Sequence, residues 1–224
     1  MEKFTIKPIA YINNDFKEKF GIPRQSGRSP STLSKIIFYP EYRSSDALRE
    51  ITQFNYLWLI FDFSLCHIDT FSPTVRPPRL GGNKKVGVFA SRSPFRPNSL
   101  GLSSVKLIKI ENETELIVSG ADLLDGTPIY DIKPYLPSSD CHTDAIGGFA
   151  DIHNEHKLQV VFPEELLKLI DKEKQAGLIE CLSDDPRPSY IDDNERIYGM
   201  KYADYNVKFT VSDDILTVIQ IQSV

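Results

Sequence analysis

The sequence predicts a mainly β protein, an N-terminal antiparallel β-barrel domain followed by a small α+β C-terminal domain. Three observations carry this. Aromatic and β-branched runs recur with turn signals at roughly 8–12-residue spacing as far as Leu136, with little helical periodicity between them. No Gly-x-Gly-x-x-Gly opens a helix after a strand, so a Rossmann dinucleotide site is not supported. From Leu158 the character changes to strand, helix and hairpin, which divides the chain into 1–157 and 158–224.

Phe4 to Ile12 alternates as a first strand and stops at Asn13-Asn14-Asp15. Lys17 to Gly27 reads as an ordered loop, in which Pro23-Arg24-Gln25, flanked by glycines, serves equally as a ligand clamp or as a turn. Ser34 to Tyr39 is a second strand. Ser44 to Ile51 is a short helix with serine available to cap it, and Phe54 to Phe63 is a buried central strand. Arg76 to Gly82 is a loop kept extended by Pro77 and Pro78. Val86 to Leu102 starts as a strand and breaks into a loop in which Pro94 and Pro97 restrict the backbone, so that Arg92 and Arg96 sit on a stiff bend. Such arginines suit carboxylates and phosphates, or merely meet solvent as in any surface turn.

Strands follow at Leu102 to Ile110 and Glu115 to Gly120, then a turn at Asp125-Gly126 and an extended run from Ile129 to Leu136. Ser138 to Glu155 loses periodicity. Cys141, His142, His153 and His156 lie in or beside it at spacings that fit no standard zinc pattern, and no metal is expected. Leu158 to Phe162 is a strand, and Pro163 opens a helix with Glu164 and Glu165 in its first turn. That helix ends before Gly177, a shorter one runs through Leu182, and Val207 to Val211 with Ile215 to Ile221 form a hairpin around Asp213-Asp214.

The chain has 224 residues and a net charge of −5, which by itself discourages a nucleic-acid partner. The average hides an asymmetry. No acidic residue occurs from Thr70 to Ile110, a stretch that carries Arg76, Arg79, Lys84, Lys85, Arg92, Arg96, Lys106 and Lys109. No apolar run approaches the ~20 residues that span a bilayer. Three scattered cysteines (Cys66, Cys141, Cys181) argue for a reducing compartment, and the expected location is the cytoplasm, with no membrane partner.

Four ordered motifs then carry a resemblance: Pro73-Thr-Val-Arg-Pro-Pro-Arg-Leu-Gly-Gly82, Gly87-Val-Phe-Ala-Ser-Arg-Ser-Pro-Phe-Arg-Pro-Asn98, Asp122-Leu-Leu-Asp-Gly-Thr-Pro128 and Asp131-Ile-Lys-Pro-Tyr-Leu-Pro137. The chain resembles the TsaA/YaeB family of tRNA methyltransferases, nearly end to end. The resemblance implies a β-barrel that binds S-adenosylmethionine, is usually dimeric, and methylates N6 of threonylcarbamoyladenosine, 3′ of the anticodon in threonine tRNA. It implies cofactor contacts at Pro23, Arg24, Gln25, Arg92, Leu102, Asp122, Leu123, Leu124 and Asp125. Ser64 and Leu65 stand where relatives carry a His-Gln pair, a departure at which a backbone group could still serve as the contact.

The acceptor nitrogen is weakly basic and benefits from a proton acceptor. Asp131, Lys133 and Tyr135 share one face of an alternating strand, with Asp131 as the base and Lys133 or Tyr135 positioning the acceptor base or a phosphate. The alternative is that Asp131 and Lys133 simply pair with each other. Arg76, Arg79, Arg96 and Asn98 in the acid-free stretch are candidate contacts to the anticodon stem-loop. The C-terminal domain adds tRNA contacts or only braces a dimer. A cofactor-binding module without transferase activity, and a methyltransferase for a small molecule, are the other readings open at this level.

Overall fold

The computed structural model describes residues 4–77, 80, 82–153, 157–187, 193 and 196–224. Eight strands belong to the first part of the chain: β1 (Ala10–Asn13), β2 (Leu33–Phe38), β3 (Tyr56–Asp62), the short pair β4 (Thr74–Val75) and β5 (Val86–Gly87), β6 (Leu100–Glu111), β7 (Glu115–Ser119) and β8 (Pro128–Pro134). Six of them close into an antiparallel barrel in the order β1-β2-β7-β6-β3-β8. Period-two alternation drives the closure. Leu57, Leu59 and Phe61 of β3 point inward with Val105, Leu107, Leu116, Val118, Ile12, Ile36 and Ile129, and together they fill the interior.

After residue 136 the chain forms the short helix α1 (Pro137–Asp140), then β9 (Gln159–Val161), α2 (Glu164–Leu167), α3 (Lys172–Ser183), β10 (Tyr198–Tyr202), β11 (Tyr205–Ser212) and β12 (Ile215–Ser223). The last three strands are an antiparallel meander, and β9 joins β12 in parallel. Leu178, Cys181 and Leu182 of α3 pack on the sheet residues Met200, Val207, Phe209 and Leu216. This is the small α+β unit, and the three cysteines of the chain are free.

The structure corrects several local expectations. Strand pairing begins at Ala10, not Phe4; Phe4 and Ile6 are exposed, and their alternation finds no partner strand among the described residues. Ser44 to Ile51 is not an α-helix but a pair of 3-10 turns, Ser45–Leu48 and Ile51–Gln53, interrupted by left-handed Glu50 (φ 68°). Only Leu48 of these turns is buried, so no apolar face exists to hold a helix. The helix expected from Glu164 stops at Leu167, and a separate helix, α3, starts at Lys172 and runs straight through Gly177. Gly177 is there for close approach, since a Cβ would lie 2.6 Å from the Tyr202 hydroxyl and 2.9 Å from Thr32 Cγ2.

Residues 15–32 pack into the second core and hydrogen-bond to the barrel, where Gly120 N–H donates to Thr32 O and Ser119 Oγ to Pro30 O. Phe16 is buried in the second core with Phe20 and Ile22 packed against it. Polar ties follow the same segment: Lys174 Nζ to Asp15 (3.1 Å), Ser31 Oγ to Glu180 Oε1 (2.7 Å), and Arg28 to Asp184, whose side chain is 4% exposed. The second unit therefore grips the loop that holds Arg24 and Gln25.

Candidate active site

The Pro23-Arg24-Gln25 loop, the Arg92 bend and the turn after β7 meet at one end of the barrel. Gly27 N–H donates to Gly120 O at 2.8 Å, and Gly120 (φ 75°) is so close that a Cβ there would sit 3.1 Å from Gly27 Cα. Both positions require glycine, and their contact sets the spacing of the two loops. Arg92 Nη1 donates to Gln25 Oε1 at 2.5 Å, which fixes an exposed guanidinium at the rim. Asp122 Oδ1 accepts from Ser103 Oγ at 2.6 Å.

Although Asp122 as a residue keeps some contact with solvent, burial of its carboxyl dominates and pushes it above the usual carboxylate range. The Ser103 hydroxyl, the Arg92 charge and the Ser26 N–H oppose the shift without cancelling it. A raised acid pKa means that the native state holds the proton more tightly than the unfolded chain. Stability is then lost as pH rises from the ordinary value of 3.8 through the folded value, and the penalty is complete above both. Asp122→Asn is therefore expected to raise the melting temperature at pH 7, by an amount that closes as pH falls toward 4. Thermal melts of the two proteins across pH 4–8 measure this, and the same substitution should weaken cofactor binding.

The other candidate contacts divide. Asp125 is held by Asn13 Nδ2 (3.1 Å), Asn14 N–H (2.9 Å) and Lys17 Nζ (2.9 Å), so it staples the turn to the first loop. Arg24 donates to the carbonyls of Asp185 (3.1 Å) and Arg187 (2.6 Å) and ties the loop to the second unit. Pro23 and Leu123 are buried, while Leu102 is 56% exposed on β6. Ser64, Leu65, Asp122, Leu123 and Leu124 line a cleft of about 180 Å³ at the barrel end, together with Lys19, Cys66 and Pro94. The Leu65 carbonyl faces Lys19 Nζ at 3.1 Å. Sequence reasoning missed Asp62, a buried acid at this cleft whose Oδ1 lies 2.8 Å from His67 Nε2.

On the outer wall, β8 carries Asp131 and Lys133 with Tyr135 just beyond. Lys133 Nζ lies 2.8 Å from Asp131 Oδ2, and Asp131 Oδ1 accepts the Ile132 N–H at 2.9 Å. Lys133 pairs in register with Trp58 and Asp131 with Ile60. Next to them a shallow basin of about 400 Å³ is lined by Tyr56, Trp58, Leu102, Ser104 and Tyr135, with Arg92 and Ser26 at its edge. Arg92 thus borders the basin while its charge reaches Asp122, which borders the cleft.

The candidate tRNA contacts are less uniform. Arg76 and Asn98 are exposed. Arg96 turns into its own bend, donating to the carbonyls of Ser91 (2.8 Å) and Val88 (3.2 Å) with its guanidinium 5.9 Å from the Phe89 ring centroid. Arg79 lies outside the described residues, as does His156. Among the described residues no group of three or more His, Cys, Asp and Glu is placed to hold a metal ion, and no helix is long and apolar enough to cross a membrane.

A closed antiparallel barrel with a polar cradle at one end, joined to a small α+β unit, is a non-Rossmann architecture. The family models of the tRNA-methyltransferase O N-terminal domain and of the TrmO C-terminal domain match residues 11–141 and 155–224, and the chain belongs to this family. It is 38% identical over 224 residues, 95% of each chain, to the tRNA (adenine(37)-N6)-methyltransferase of Escherichia coli (strain K12). It is 40% identical over 211 residues to a putative S-adenosylmethionine-dependent methyltransferase of Pseudomonas aeruginosa, covering 91% of this chain and 90% of that one. The crystal structure of TrmO from Pseudomonas aeruginosa superposes with a TM-score of 0.81 at 32% identity, covering 99% of this chain and 100% of that chain.

Proposed function

We propose that this chain methylates N6 of threonylcarbamoyladenosine at position 37, beside the anticodon of threonine tRNA, with S-adenosylmethionine as methyl donor. The observation that carries the reading is the end-to-end match to the tRNA (adenine(37)-N6)-methyltransferase, through both family domains. The cradle suits the donor. Arg92 offers a fixed guanidinium to a carboxylate, and the enclosed Asp122 carboxyl accepts from an ammonium or from ribose hydroxyls. S-adenosylmethionine supplies an activated methyl group when bound, so the protein chiefly has to orient the acceptor and receive its proton.

In this reading Asp131 takes the proton shed by the acceptor nitrogen. Lys133 holds the carboxylate in place and, on a flexible stem, reaches a neighbouring phosphate. Arg76, Arg79 and Asn98 contribute phosphate contacts, and the protein works as a homodimer in the cytoplasm. The test is label transfer from radiolabelled S-adenosylmethionine to threonine tRNA prepared with and without the threonylcarbamoyl group. Label in the threonylcarbamoylated tRNA alone supports the reading. Bound cofactor with no labelled product makes the barrel a binding module, and label on a small acceptor in the absence of tRNA moves the substrate elsewhere.

A further inference from the structure

The basin between β3, β6 and β8 adjoins the cofactor cradle, with which it shares Arg92 and Leu102. Its floor is aromatic: the Trp58 and Tyr135 ring centroids are 5.4 Å apart, and those of Tyr56 and Tyr135 are 6.3 Å apart. Its chief ring is locked. Trp58 Nε1 donates to Asp140 Oδ2 at 2.9 Å, and the same oxygen accepts the Leu136 N–H at 2.8 Å. An indole that is half-buried and held by a carboxylate has little rotamer freedom left to lose when something flat settles on it. The surrounding polar groups, Ser26, Ser104 and Arg92, are donors suited to the edge of a heterocycle. Lys133 lies opposite Trp58 in the strand register, with Asp131 on the same face.

We infer that this basin holds the acceptor nucleobase, a purine flipped out of the anticodon loop and stacked on the Trp58 ring, with the Tyr135 ring tilted 44° beside it. The inference deepens the tRNA methyltransferase reading and rests on it. Stacking on a fixed aromatic ring is how unpaired bases are gripped without a helical groove to read. It sets the base against the wall that carries Asp131 and Lys133, with Arg92 between it and Asp122. Trp58 is thereby a positioning residue, one the motifs gave no reason to single out, and Asp140 sets its orientation.

The chain contains one tryptophan and ten tyrosines, so emission excited selectively at the indole reports on this basin. Wild-type protein is titrated with an anticodon stem-loop RNA carrying threonylcarbamoyladenosine, with the same RNA abasic at that position, and with S-adenosylhomocysteine. Label transfer is followed in parallel samples. Saturable quenching by the modified RNA that disappears with the abasic RNA supports the inference. Trp58→Ala should then raise KM for the stem-loop about 10-fold or more, with cofactor affinity retained, and Trp58→Phe should restore most of it. Quenching by S-adenosylhomocysteine with no further change on adding RNA assigns the basin to the cofactor and overturns the inference. Emission that follows protein concentration instead of RNA assigns the basin to a second copy and overturns it equally. Label transfer without any change in emission overturns the inference while the methyltransferase reading stands, and absence of label transfer in the wild type marks failure of that reading.

Discussion

Asp131→Asn is expected to lower kcat for methyl transfer to tRNA by about 100-fold, with cofactor affinity and melting temperature nearly unchanged. The geometry separates this from a structural role. The Asp131–Lys133 pair is well exposed on the outer wall, with side-chain exposures of 44% and 62%, and ion pairs of that kind contribute about 0–1 kcal/mol to stability. If the carboxylate only pairs with Lys133, then Asp131→Asn and Lys133→Met should produce the same slight thermal effect and leave kcat alone. If Asp131 receives the acceptor's proton, the asparagine, which is isosteric but not basic, keeps the fold and loses the rate. Lys133→Met then costs less, mainly in KM for tRNA. Steady-state kinetics at saturating cofactor decides, and an unchanged kcat removes Asp131 from the chemistry.

The placement of Asp131 shows how far the sequence could be read. Alternation from Ile129 alone, which is buried inside the barrel, would carry Asp131 inward as well. The ladder slips by one residue between Ile60 and Phe61: Phe61 pairs with Ile129, and Ile60 with Asp131. Tyr130 is the extra residue of this bulge, and beyond it Ile132 faces the core while Asp131 and Lys133 face out. The shared face of Asp131 and Lys133 was legible from their spacing, because it lies wholly past the bulge. Which side of the wall it occupies was not.

The barrel strands were legible for the same local reason, since period-two burial is written in successive residues. The aromatic basin was not, because it joins three strands and the Trp58–Asp140 hydrogen bond spans 82 positions. Arg92 and Arg96 looked equivalent on their stiff bend. Only Arg92 reaches across to Gln25, whereas Arg96 folds back on its own carbonyls.

The division of the chain expected near residue 157 takes no account of the loop after β1, which is tied to elements on both sides of it. The largest stability effect is expected there. Arg28→Met should destabilise the protein by about 3 kcal/mol, or roughly 6–12 °C in melting temperature, because it leaves the Asp184 carboxylate, 4% exposed, without its partner guanidinium. The consequence reaches the site. The segment that carries Arg28 also places Arg24 under the carbonyls of Asp185 and Arg187, and Gln25 under Arg92. Loosening its grip on the second unit should weaken cofactor binding while kcat at saturating cofactor is kept, since Asp131 and Lys133 are carried by β8 and not by this loop. Thermal melts combined with cofactor titration test both halves. A variant that melts like the wild type would mean that Asp184 is satisfied without Arg28, and one that loses stability but binds cofactor normally would free the cradle from the second unit. The double variant Arg28→Met with Asp184→Leu should recover much of the stability, because a buried pair exchanged for apolar packing no longer strands a charge. Recovery of cofactor affinity in that variant would identify the second unit as a brace for the cradle.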